Sequence, residues 1–231
     1  MRTFIIKMKM GRTEFLQYGA ILLAGYLLGL VLCFFLSRGD GKYVTLGTLV
    51  AAIFTAFIHF FGSVFSFLGE FNMGISMGAT RKELVRSYAL FLFVQILLLE
   101  IVLVLFGMAE KALLAGMMPQ GELRFDLTAY MKPGYLIAIA AVTMVAEIFC
   151  GAVLLRFGMK AFWVLWAVWM LSSVLLPRLL DNGRLSVWWN RLGLAFGGHM
   201  TAAGIWTAVS AVTAILAGIS WGILRKQKAI V

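Results

Sequence analysis

Six long apolar stretches separated by short polar or basic ones set the pattern of this chain of 231 residues. They fall at about residues 17–36, 44–68, 86–108, 134–155, 161–177 and 201–223. A hydrocarbon layer about 30 Å thick is crossed by roughly 20 residues of a helix rising about 1.5 Å per residue. The pattern therefore predicts an all-α, polytopic membrane protein: six transmembrane helices in a single transmembrane domain over residues 1–231. Residues 1–16 mix Phe4, Ile5, Ile6, Met8 and Met10 with basic side chains and predict an interfacial segment ahead of the first span. Residues 178–200 carry Trp188, Trp189 and many aliphatic side chains, too apolar for a loop in free water. They predict a re-entrant or interfacial hairpin between spans five and six, with ordinary aromatic anchoring of a loop as the alternative. Gly25 with Gly29, and Gly218 with Gly222, have the four-residue spacing that lets helices in lipid approach closely.

Composition agrees: 62% of residues are hydrophobic and 13% charged, well outside the range of soluble globular domains. The interruptions by Lys7, Lys9 and Arg12 leave no continuous apolar region of the kind a cleavable signal peptide needs. Cys33 and Cys150 both fall inside apolar runs, which speaks against a disulfide framework or a zinc site. The formal charge of +10 invites a nucleic-acid partner, but its distribution explains it otherwise. With both termini cytoplasmic, Arg2, Lys7, Lys9, Arg12, Arg81, Lys82, Arg86, Arg156, Lys160, Arg225, Lys226 and Lys228 share the inner side, 12 of the 20 basic residues. That split follows the positive-inside rule, and the basic ends suit anionic lipid headgroups with no nucleic acid involved.

The most informative break in the apolar pattern is "NMGISMGATRKELVRSYAL", residues 72–90. "GISMG" satisfies the G-x-S-x-G pattern of serine hydrolases, whose serine needs a histidine within hydrogen-bond reach. On the six-span topology His199 lies a bilayer away from Ser76, and His59 lies well up the second span. An intramembrane enzyme is thus the weakest of three readings, and no catalytic residue is assigned. There is no H-E-x-x-H zinc helix and no G-x-x-x-x-G-K-[ST] phosphate loop, so no metal or cofactor is expected on this chain.

The second half of the stretch has helix-start chemistry. Thr80 followed by Glu83 is a capping box, which starts a helix near Arg81. Gly78 suits the left-handed conformation that ends a preceding helix, so Glu70–Met77 is expected as a short separate helix in an elbow over 69–80. That helix would present Phe71, Met73, Ile75 and Met77 beside Arg81, Lys82 and Arg86. Such a surface fits a groove of a soluble partner, or else lies in the lipid interface.

Gly78, Ala79, Thr80, Arg81 and Lys82 also match "G-[AIV]-[ST]-R-[KR]", and the surrounding 20 or so residues resemble the segment after the second span of ATP-binding-cassette permeases. The plan of six spans and an apolar outer hairpin resembles the type-2 exporter permeases. Cell-division-type (FtsX-like) permeases carry a related motif, but with four core spans and usually a large outer domain, whereas here the first loop is only "SRGDGKY". The resemblance implies a multi-pass permease of the bacterial cytoplasmic membrane that pairs with an identical or homologous permease. It implies two copies of a cytosolic ATPase as partners, with ATP and Mg on those subunits and none here. The coupling residues it implies are Glu70, Phe71, Met73, Met77, Gly78, Thr80, Arg81 and Lys82. It further implies alternating access that exports an amphipathic substrate such as a peptide, an antimicrobial or a lipid. A non-transporting assembly or sensory subunit whose elbow binds another cytosolic partner is the second reading.

Within the spans, Glu100 and Glu147 are conspicuous, because buried charge in hydrocarbon must be paired, hydrated or protonated. His59 and Glu147 lie at similar depths from the cytoplasmic ends of their spans, which predicts an interhelical pair. Glu100, five residues beyond Gln95, lies in the outer half and would line an exit path. For each of these the alternative is a structural contact between helices. Trp163, Trp166 and Trp169 form a stripe that reads as packing or lipid contact, with an aromatic substrate wall as the alternative.

Overall fold

A computed structural model describes residues 11–36, 42–117, 122–125, 127–181 and 202–226. Six long helices dominate: α1 (Arg12–Leu36), α2 (Leu46–Ser76), α3 (Arg81–Met117), α4 (Pro133–Phe157), α5 (Met159–Asp181) and α6 (Ala202–Lys226). Two short strands depart from the all-α expectation. β1 (Lys42–Val44) pairs in parallel with β2 (Glu122–Phe125), Lys42 opposite Glu122, and a single 3-10 turn (Leu127–Tyr130) follows. Pro133 opens α4, where its missing N–H and fixed φ carry no penalty. Gly158, at φ +69°, separates α4 from α5.

Among the described residues five helices are long and apolar enough to cross a membrane. The predicted fifth span falls in α5, a helix of 23 residues. Burial is inverted relative to a water-soluble fold: Leu16, Leu23, Leu27, Val31 and Phe35 of α1 are exposed, whereas Thr55, His59, Ser63, Gln95 and Glu147 are buried. That is the arrangement expected of a bundle bathed in lipid.

The chain divides into two compact units, one reaching Glu147 and the other covering Ile148–Lys228. In the first, α1 and α2 run antiparallel at very close range. A Cβ on Gly29 would sit 2.6 Å from the Gly47 Cα and from the Leu46 carbonyl oxygen, and one on Gly25 would sit 3.1 Å from the Ala51 Cα. The small pair on α1 is thus the contact surface that lets the backbones meet. Leu22, Tyr26, Ala51, Leu99 and Leu103 pack as a buried cluster across α1, α2 and α3. In the second unit a Cβ on Gly218 or Gly222 would meet nothing within 4 Å among the described residues, so the same spacing makes no close approach there.

Several boundaries differ from expectation. α1 begins at Arg12, so part of the expected interfacial segment is the first turn of a helix; residues 1–10 lie outside the described residues. Residues 69–76 are no separate helix: they are the last two turns of α2, unbroken over 31 residues. Nothing in "GEFNMGIS" breaks a helix whose buried residues, Phe67, Phe71 and Gly74, continue one face. α3 runs for 37 residues to Met117, beyond the expected end near 108. At about 1.5 Å per residue, α2 and α3 are roughly 46 and 55 Å long, more than the thickness of a bilayer core. The expected hairpin lies outside the described residues, except that α5 reaches Asp181.

Candidate functional site

The elbow joins α2 to α3 in four residues. Gly78, at φ +82°, takes the left-handed turn with nothing within 4 Å of where a Cβ would stand, so conformation and not space asks for glycine. The amides of Met77, Gly78 and Ala79 donate to the carbonyls of Met73, Ile75 and Gly74, which satisfies the last turn of α2. The Glu83 amide donates to Thr80 Oγ1 (3.3 Å), and the Thr80 hydroxyl donates to Glu83 Oε2 (3.0 Å). The forward half of the expected capping box is formed, and the carboxylate holds the hydroxyl instead of the Thr80 amide. Across the turn Leu84 seats against Gly74, where a Cβ would collide with it.

This geometry sorts the expected coupling residues. Met73 and Met77 are 59% and 73% exposed, and Gly78, Thr80 and Lys82 are exposed with them. Glu70 and Arg81 are half-buried. Phe71 is a correction: it is 2% exposed and stacks on Phe67 at 5.5 Å, because the continuous α2 keeps its buried face turned inward. The Ser76 hydroxyl donates to the Met73 carbonyl (2.7 Å). His59 stands 17 residues earlier on the same helix, about 25 Å away by helix rise. Among the described residues Ser76 has no base, and no group of three or more His, Cys, Asp or Glu side chains could hold a metal.

Deeper in the first unit, His59 Nδ1 and Glu147 Oε1 lie 2.9 Å apart, both side chains buried. The two residues expected at equal depth are therefore bonded. The Tyr18 ring of α1 lies over the His59 ring at 4.8 Å between centroids. Ser63, one turn on, donates to the His59 carbonyl (2.7 Å), and the Tyr88 hydroxyl of α3 donates to the Ser63 carbonyl (2.6 Å). Four helices thus meet around one histidine. Gln95 and Glu100 are buried on α3 without joining that cluster through a described hydrogen bond. Of the tryptophan stripe, Trp163 and Trp166 are exposed and pack edge to face at 6.2 Å, as lipid-facing rings do; nothing is described of the Trp169 side chain.

One polar residue is not singled out by the sequence: Glu110, just beyond the expected end of the third span near residue 108. It is fully buried on α3, and its carboxylate accepts from the Gly47 amide (2.7 Å), the Thr48 amide (2.8 Å) and the Thr48 hydroxyl (2.6 Å). It thereby caps the start of α2 from 62 to 63 residues away. Thr45, at the capping position itself, has its hydroxyl engaged by the Leu127 amide instead. Leu103, Gly107, Glu110 and Leu114 continue the buried stripe of α3 at three- and four-residue spacing, which is the signal that places Glu110 inward.

Compared with protein-family models, with curated proteins and with solved structures, this chain finds no match.

Proposed function

We propose that this chain is the membrane-spanning permease subunit of an ATP-binding-cassette transporter, with α5 supplying a sixth crossing and both termini cytoplasmic. The observation that carries the reading is the elbow. Two helices longer than a bilayer project from it and are joined by a tight, doubly capped turn. That turn presents exposed Met73 and Met77 beside exposed Lys82 and Arg86. Glu14 Oε1 accepts from the Ser66 hydroxyl (3.4 Å), so α1 begins at the elbow end of α2 and brings Arg12 to the same end as Arg81, Lys82 and Arg86. Concentrated basic charge favours the cytoplasmic side.

A methionine pair on a rigid helix end is a compact apolar anchor for a groove in a soluble subunit, and two long helices behind it transmit displacement along their axes. The cargo in this reading is amphipathic, a peptide, antimicrobial or lipid, and ATP is hydrolysed on the partner. The test is co-expression with a cassette ATPase from the same gene cluster, followed by purification in detergent. The expected result is a stable complex whose ATPase activity depends on the permease. Met77→Glu should weaken association about tenfold or more, the scale of losing one buried apolar anchor. A stable complex in which the chain's partner binds no nucleotide would overturn the reading in favour of an assembly or sensory subunit.

A further inference from the structure

Of the buried side-chain polar atoms of the first unit without a hydrogen-bond partner among the described residues, five lie away from the elbow. They are Thr55 Oγ1 and His59 Nε2 on α2, Gln95 Nε2 and Glu100 Oε2 on α3, and Glu147 Oε2 on α4. In hydrocarbon such atoms are strongly disfavoured, so their concentration in one region calls for an explanation. The contacts of Ser63 with Tyr88 and of Thr48 with Glu110 pin α2 against α3 at two levels. Thr55 and His59 lie between the two pins on α2, and Gln95 and Glu100 lie between them on α3, while Glu147 joins through His59. These buried polar side chains make up a seam along the facing helices.

The two acids of the seam differ in partner. Glu147 has the His59 ring at 2.9 Å. Among the described residues of its unit Glu100 has no Lys or Arg at its level: α2 contains none, α3 has none between Arg86 and Lys111, α1 has only Arg12 at its start, and Arg156 stands near the end of α4. The other titratable groups on these helices are Glu14, Tyr18, Tyr26 and Cys33 on α1, Glu70 on α2, Glu83, Tyr88 and Glu110 on α3, and Tyr135 and Cys150 on α4, none of them a cation. An uncompensated carboxylate is disfavoured in this setting, whereas the neutral acid carries no charge and gains an O–H donor.

We propose that the seam is a proton-binding site in which Glu100 holds the exchangeable proton as a neutral acid, while the carboxyl of Glu147 is engaged by the His59 ring. The site belongs to this chain alone and does not rest on the transporter reading. Dicyclohexylcarbodiimide, a lipid-soluble reagent, tests it. It takes up a neutral carboxylic acid across a C=N bond: the carboxyl oxygen bonds the central carbon, the acid's proton moves to nitrogen and nothing leaves. The full chain in phosphatidylcholine vesicles near pH 7 is treated and mapped by peptide mass spectrometry. The expected result is about tenfold or more label at Glu100 over Glu147, with none at that position in Glu100→Gln. In His59→Gln the label at Glu147 should rise to the level of Glu100, provided that cooperative unfolding is retained. The wild-type ratio decides on its own if that variant fails to fold. Unlabelled Glu100, or equal labelling of Glu100 and Glu147 in the unaltered chain, would overturn the proposal.

Discussion

The two ends of α2 are closed by opposite means. At its far end, Gly78 turns left-handed, and Thr80 with Glu83 starts the next helix three residues apart in an exposed setting. At its near end a fully buried carboxylate from α3, Glu110, takes up two amides and a hydroxyl more than 60 residues away. The first closure is local chemistry that any soluble helix pair could use. The second exists only once α2 and α3 lie antiparallel, and it makes the start of one helix depend on the extension of the other. An exposed end kept by local rules leaves its surface available for a partner, and a buried end kept by a charged clasp ties the bundle together.

Substitutions can break or sharpen this contrast. Glu110→Ala should have the largest effect, about 3 kcal/mol of unfolding free energy, because three buried donors lose a charged acceptor. Denaturant titration in detergent micelles measures it, and Glu110→Gln should retain roughly half. Gly29→Ala comes next at about 2 kcal/mol, since the added methyl meets backbone and not a movable side chain. Gly218→Ala, at the same motif without a neighbour, should instead gain about 0.5 kcal/mol from helix propensity. Gly78→Ala should cost about 1 kcal/mol for the left-handed conformation. Thr80→Ala is the smallest of the costs, about 0.5 to 1 kcal/mol for a lost exposed cap. If the two elbow substitutions together cost more than Glu110→Ala, the division between a clasped end and a locally closed one would fail.

What was legible in the sequence follows the same division. The left-handed glycine and the capping box are interactions between near neighbours, so their residues announce them. His59 and Glu147 were legible at one remove, because membrane depth converts sequence position into height and two polar groups at one height in hydrocarbon find each other. Phe71 was read as part of a presented surface, but its orientation belongs to the face that α2 packs through Phe67 and Tyr88, which no local pattern marks. Gly25–Gly29 and Gly218–Gly222 are indistinguishable as spacings, and among the described residues only the first pair faces a neighbour close enough to need it.

The sequence by itself determined the apolar helices, the break at Gly78 and the scarcity of charge that makes each interior acid consequential. These depend on composition and on contacts between residues a few positions apart. The tertiary structure alone decided which small residues carry the α1 and α2 contact, that Glu110 caps α2, and that Glu147 meets His59 while Glu100 makes no such contact among the described residues. Those outcomes depend on which faces meet across distances along the chain that no local rule spans.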